Sequence, residues 1–173
     1  MATRIKKTRT KSETETVEKK PRKRRGRKKY EFMFRDNQVT FDEETGCFIL
    51  ISPWRVHTST NRTMGMNMNE YNATSPFARN NAKKNYKVDM AYQISQLPRL
   101  ERISVDYEIV FNDENDIHDG MNVASVTSKF FLDAIVQLGV IPDDNYKRVV
   151  HEEWNPYGVD VNNGRVLIYI KPL

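Results

Sequence analysis

Almost nothing in the first 29 residues can be buried. Thr8 to Lys20 mixes Thr, Glu and Lys, and Pro21 to Lys29 reads Pro-Arg-Lys-Arg-Arg-Gly-Arg-Lys-Lys. Such a segment has too little apolar surface to offset the entropy lost on ordering. Any core must therefore come from residues 30–173, about the length of one ordinary domain. The expected organisation is a disordered basic arm, 1–29, ahead of a single globular domain, 30–173.

Charge divides at the same place. The arm holds 14 Lys or Arg against Glu13, Glu15 and Glu18, whereas the whole chain has 28 basic and 23 acidic residues. A segment of net charge +11 therefore precedes a domain of net charge −6. A flexible cationic arm neutralises phosphates and releases their counterions, which raises affinity for nucleic acid without reading its sequence. Arg22, Lys23, Arg24, Arg25, Arg27, Lys28 and Lys29 are the candidate DNA contacts in it. The Arg25-Gly26-Arg27 centre also resembles a minor-groove hook, and the run as a whole resembles a nuclear address. An acidic domain, by contrast, repels DNA unless metal ions neutralise some of its carboxylates, as in many nucleases.

Cys47 is the only cysteine, which excludes an intrachain disulfide framework and a cysteine-rich zinc site. No apolar run approaches the roughly 18 residues of a membrane span, and the basic start is not followed by the apolar stretch of a secretory signal. The expectation is a soluble, intracellular protein without a membrane partner.

Apolar periodicity within the domain predicts α+β architecture. Residues 38–41 and 47–52 read as short strands, the second ending at Pro53, and 54–74 reads as a long polar loop. Ser75-Pro76 is a helix-start pair, an N-cap hydroxyl and a proline at the first helical position, opening a helix over 77–96. Ile103, Val105, Tyr107, Ile109 and Phe111 alternate as in a half-buried strand. Val123, Val126, Phe130, Ala134 and Leu138 mark one face of a second helix over 122–138, which Gly139 is placed to end. Residues 146–152 and 165–170 read as a final strand pair joined through Asn162-Asn163-Gly164. A small mixed sheet with two long helices packed on one face follows.

Acidic residues frame the second helix, with Asp116 and Asp119 before it and Asp143 and Asp144 after it. Asn122, Ser125, Lys129 and Asp133 recur at steps of three and four and share its polar face. A helix of this length separates its ends by roughly 25 Å. Asp119 and Asp144 can then meet at one metal only if the acidic loop folds back or a second subunit supplies one end. Spacing alone also allows Asp119 as a helix cap, Asp143-Asp144 as a turn, and Lys129 with Asp133 as an exposed ion pair. His57, His118 and His151 are too scattered to suggest a zinc set or a triad.

The segment Asp119-Gly-Met-Asn-Val-Ala-Ser-Val-Thr-Ser-Lys129-Phe-Phe-Leu-Asp133-Ala-Ile-Val-Gln-Leu-Gly139-Val-Ile-Pro-Asp143-Asp144-Asn145 resembles the signature of the RusA-like Holliday junction resolvases of phages and prophages. That family reads Asp-x-Asp-Asn, a Lys further along, then Asp-Ala-Leu, a Gly and a closing Asp-Asp. Asn61-Arg62 is similar to its upstream Asn-Arg element.

The resemblance implies a homodimeric endonuclease that uses Mg²⁺ or Mn²⁺ to nick branched double-stranded DNA, acting in recombination and repair. It also implies a cytoplasmic setting in a bacterial or phage-infected cell. By position, Asp119, Lys129 and Asp144 would be catalytic, with Asp119 and Asp144 holding the metal and Asp116 and Asp143 as further candidate ligands. Arg62, Lys83, Lys84 and Asn122 would contact DNA, although Lys83 and Lys84 read equally as solvated helix residues. The departure is Met121, which stands where the family's second loop Asp is expected and cannot bind a hard cation as a carboxylate does. Asp116, His118 and Asp143 are the candidate replacements. The alternative is a non-catalytic DNA-binding protein of the same fold with a degenerate metal site.

Overall fold

The expected alternating strand is the centre of the fold. In the computed structural model, which describes residues 37–113 and 119–173, β5 (Ile103–Phe111) has a neighbour on each side. Its odd residues, Ile103 to Phe111, are buried, while Ser104, Asp106 and Glu108 face the opposite, open side. On one flank β5 pairs antiparallel with β7 (Arg165–Pro172), which pairs antiparallel with β2 (Cys47–Pro53) and, through it, with the short β1 (Thr40–Asp42). On the other flank β5 pairs parallel with β6 (Val149–Val159), the edge strand. The sheet is thus mixed, in the order β1-β2-β7-β5-β6.

Both long helices form where the sequence pattern puts them. In α2 (Pro76–Ile94), the Ser75 hydroxyl accepts the Ala78 N–H at 3.4 Å, as expected of an N-cap. The other is α3 (Gly120–Gln137), beyond which Gly139 takes φ +77°, a left-handed conformation that glycine adopts without a Cβ penalty. Tyr86, Met90 and Ile94 of α2 and Val123, Val126 and Phe130 of α3 join Leu50, Tyr107, Ile109, Val166 and Ile168 in one core on the inner side of the sheet. Gln93 ties α2 to that sheet. Its amide accepts the Ile51 N–H at 2.8 Å and donates to the Ile51 carbonyl at 2.9 Å, satisfying edge groups of β2 beyond the last β1 pair, Thr40–Ile49.

Two sequence expectations are corrected. The polar stretch 54–74 is not a loop but a hairpin, β3 (Arg55–Ser59) with β4 (Arg62–Gly65), followed by the short helix α1 (Met68–Ala73). Nor are the last two strands partners: β5 lies between β6 and β7. Because β6 pairs parallel to β5, α3 must cross over between them, and β7 is left the far side of β5. The arm 1–29, including its seven candidate DNA contacts, lies outside the described residues, as do Asp116 and His118.

Candidate functional site

Since α3 crosses over between parallel strands, it starts beyond the end of β5 and finishes before the start of β6. Asp119 therefore stands at one end of the sheet and the loop bearing Asp143 and Asp144 at the other. The 18 residues of α3 separate them by about 27 Å. One chain does not bring Asp119 and Asp144 together.

Asp119 occupies the N-cap position, but its side chain makes no capping hydrogen bond. Its Oδ1 instead accepts the Asn122 amide at 2.9 Å, and the residue is exposed. The helix-cap reading is thus not what this side chain does. Gly120 brings the first turn of α3 against β6, because the six-membered ring of Trp154 fills the space a Cβ would need. Met121, at the departure from the family pattern, is exposed.

At the other end, Asp143 acts as a turn residue. Its two carboxylate oxygens accept the Asp144 N–H and the Asn145 amide. Asp144 is exposed, and its carboxylate has no hydrogen bond or ion pair among the described residues. The loop returns to the sheet through Arg148, whose carbonyl accepts the Ile103 N–H at 2.8 Å and whose guanidinium pairs with Glu101.

Along the polar face of α3 the charges fall into register with α2. Lys83 pairs with Asp133, and Lys87 donates to Gln137 at 2.8 Å, so the two helices run in the same direction along this seam. One turn earlier, Tyr71 of α1 takes the Arg79 guanidinium at 4.9 Å and the Lys129 ammonium at 5.8 Å over its ring. Lys83 is consequently neutralised, whereas Lys129 and Lys84 are exposed cations. The Lys129–Asp133 pair that spacing allows does not form; Asp133 is paired with Lys83. Lys129 lies ten residues from Asp119, an axial separation of about 15 Å.

Arg62 is exposed at the start of β4, on the hairpin that packs against α2 through Asn85, whose amide donates to the His57 carbonyl at 2.7 Å. The base of the hairpin is clasped to α1 by a two-pronged Arg55–Glu70 ion pair, 2.9 and 2.8 Å, and by the Gly65 N–H on the same carboxylate at 2.7 Å. Burial pushes the Glu70 carboxyl up, but these donors outweigh it and hold the pKa below the ordinary value. Nothing in the sequence signals this clasp, because its partners lie 15 residues apart in a stretch whose polar composition reads as loop. A polar pocket of about 320 Å³ opens beside the hairpin, lined by His57, Ser59, Thr60, Asn85, Val88 and Asp89, and none of the candidates from sequence lines it.

No family model and no curated protein matches this chain. No helix among the described residues is long and apolar enough to cross a membrane.

Proposed function

We propose that the protein is a metal-dependent endonuclease of branched DNA whose metal sites are shared between two copies of the chain. The observation that carries this reading is the pair of exposed carboxylates at the two ends of α3. Asp119 does not cap its helix and the Asp144 carboxylate has no partner among the described residues, although neighbouring Asp133 and Asp143 are engaged structurally. Two chains with antiparallel α3 helices about a two-fold axis would set Asp119 of each beside Asp144 of the other. That yields two equivalent sites about one helix length apart, which suits paired nicks in a symmetric junction.

At each site the carboxylates would hold Mg²⁺ or Mn²⁺, which lowers the pKa of a bound water and offsets the charge that develops on the phosphate. Asn122, tied to Asp119, orients that carboxylate. Lys129 and Lys84 contribute phosphate contacts, which raise affinity and its salt dependence without selecting a sequence. Arg62 and the basic arm extend the contact surface. Met121 leaves each site one carboxylate poorer than the family pattern, so the ion is held weakly.

The test is incubation of the purified full chain with a synthetic four-way junction in Mg²⁺, in Mn²⁺ and in chelator. Paired nicks in either metal and none in chelator are expected. Junction binding without any nicking would instead favour the non-catalytic DNA-binding protein, the reading that Met121 supports.

A further inference from the structure

The side of the sheet not covered by helices carries a second group of metal-ligating side chains. Asp106 on β5 lies directly across from Glu153 on β6, and His151 precedes Glu153 by two residues, which puts all three on the same face. That face is the open one, because Glu152, between His151 and Glu153, turns inward, where its Oε1 accepts the hydroxyls of Tyr107 and of Ser128 on α3. One ligand atom from each of Asp106, His151 and Glu153 lies within 4.8 Å of the others. His151 Nε2 is 3.4 Å from Glu153 Oε2 and 3.8 Å from Asp106 Oδ1. An ion with bonds of about 2.1 Å places its ligands roughly 3.4 Å apart, so these spacings already approach a coordination shell.

We infer that Asp106, His151 and Glu153 bind one divalent transition-metal ion of the zinc or manganese class on the open face of the sheet. A plain surface ion pair explains the group less well. Asp106 Oδ1 is shut off from solvent yet accepts no hydrogen bond, and the 3.8 Å approach of His151 is too long to supply one. Buried acceptors normally have a partner, and a metal ion would be one.

The surroundings fit an added positive charge. Burial raises the Asp106 carboxyl above its usual range; His151 and Lys171 oppose that rise, while Glu153 and Glu108 add to it. Glu108 lies outside the group, and its Oε2 accepts the Tyr169 hydroxyl at 2.7 Å. One imidazole nitrogen with two carboxylates suits Zn²⁺ or Mn²⁺ better than Mg²⁺ or Ca²⁺, which favour all-oxygen sets. Asp106 lies on β5, which is paired on both sides, and His151 and Glu153 lie on the edge strand β6 where its ladder with β5 is continuous from Ser104 to Ile109, so the donors are held on paired backbone. Asp119 and Asp144 belong to the ends of α3, on the other side of the sheet, so this site stands or falls independently of the proposed nuclease.

The test is calorimetric titration of chelator-stripped full chain with ZnCl₂, MnCl₂ and MgCl₂, using wild type, Asp106→Asn, His151→Ala, Glu153→Gln and an Asp119→Asn/Asp144→Asn double variant. Cobalt(II) absorption on the same set reports nitrogen ligation. One tightly bound zinc per chain is expected for wild type and for the double variant, any weaker second binding at Asp119 and Asp144 being confined to chains that keep both. The tight affinity should be at least tenfold lower in His151→Ala and Asp106→Asn, with Mg²⁺ bound weakly or not at all. Glu153→Gln is conservative and exposed, and keeps the test valid should either of the others misfold. Unchanged zinc affinity in all three single variants overturns the inference, as does loss of the ion in the double variant alone.

Discussion

A Cβ on Gly120 would meet the Trp154 ring, with Cε3 and Cη2 each at 3.0 Å. In an exposed helix Gly→Ala gains about 1 kcal/mol of propensity. Here the ring must move, and overpacking of this kind costs about 1–3 kcal/mol, so Gly120→Ala should destabilise on balance. Urea unfolding measures the sign. Only the folded chain discloses this contact, since Trp154 lies 34 residues further on in sequence. The same holds for Asp119: its sequence position is that of a cap, and only the geometry shows its carboxylate turned to Asn122. Asp119→Asn should therefore leave the melting temperature nearly unchanged while abolishing nicking, which a melt and a junction assay together report. At Glu70 the folded pKa lies below the unfolded one, so its contribution is fully present above the unfolded value, near 4.5, and is lost as pH falls through the folded value. Wild type should lose stability over this acidic window more steeply than Glu70→Gln, as pH-dependent unfolding curves would reveal.

The long helices and the central strand were legible because each buries one face with a clear period, as Val123, Val126 and Phe130 do in α3 and Ile103 to Phe111 do in β5. The hairpin was not, although Val56 and Thr58 alternate inward on β3; four- and five-residue strands rich in Thr, Arg and Met give too short a pattern. Only Met68 and Tyr71 of α1 pack against the core, both partly buried, so its six residues give too short an amphipathic pattern to read. The pairing of β6 with β5 rather than β7 depends on how α3 crosses the sheet, which no local pattern encodes. Gln93 looks like an ordinary polar helix residue in sequence, yet it is fully buried and holds both edge groups of Ile51. Gln93→Ala leaves those groups without partners at about 1–3 kcal/mol each, partly relieved by the incomplete burial of Ile51. A loss of about 2 kcal/mol in chemical denaturation is expected, and a neutral effect would mean that water replaces the clamp.

On the proposed reading, the division of charge assigns affinity to the arm and chemistry to the domain. Deleting Met1 to Lys29 should weaken DNA binding and flatten its dependence on salt, measured as the slope of log affinity against log salt concentration, while the domain stays folded. The candidate metal carboxylates were legible as residue types flanking a helix, but their separation along α3 assigns them to a pair of sites only if two chains combine. Mixed dimers of two inactive variants test that arrangement directly. Asp119→Asn and Asp144→Asn are each expected to be silent on a four-way junction, because each disables both shared sites. In a dimer containing one chain of each kind, one site loses both carboxylates and the other keeps both. Co-refolding the two variants should therefore restore nicking to about a quarter of the wild-type rate, since half of the dimers are mixed and each has one intact site. A mixture as inactive as its parts, with wild type active beside it, would contradict the shared site. A wild-type chain that nicks no junction in Mg²⁺ or Mn²⁺ would contradict the enzyme.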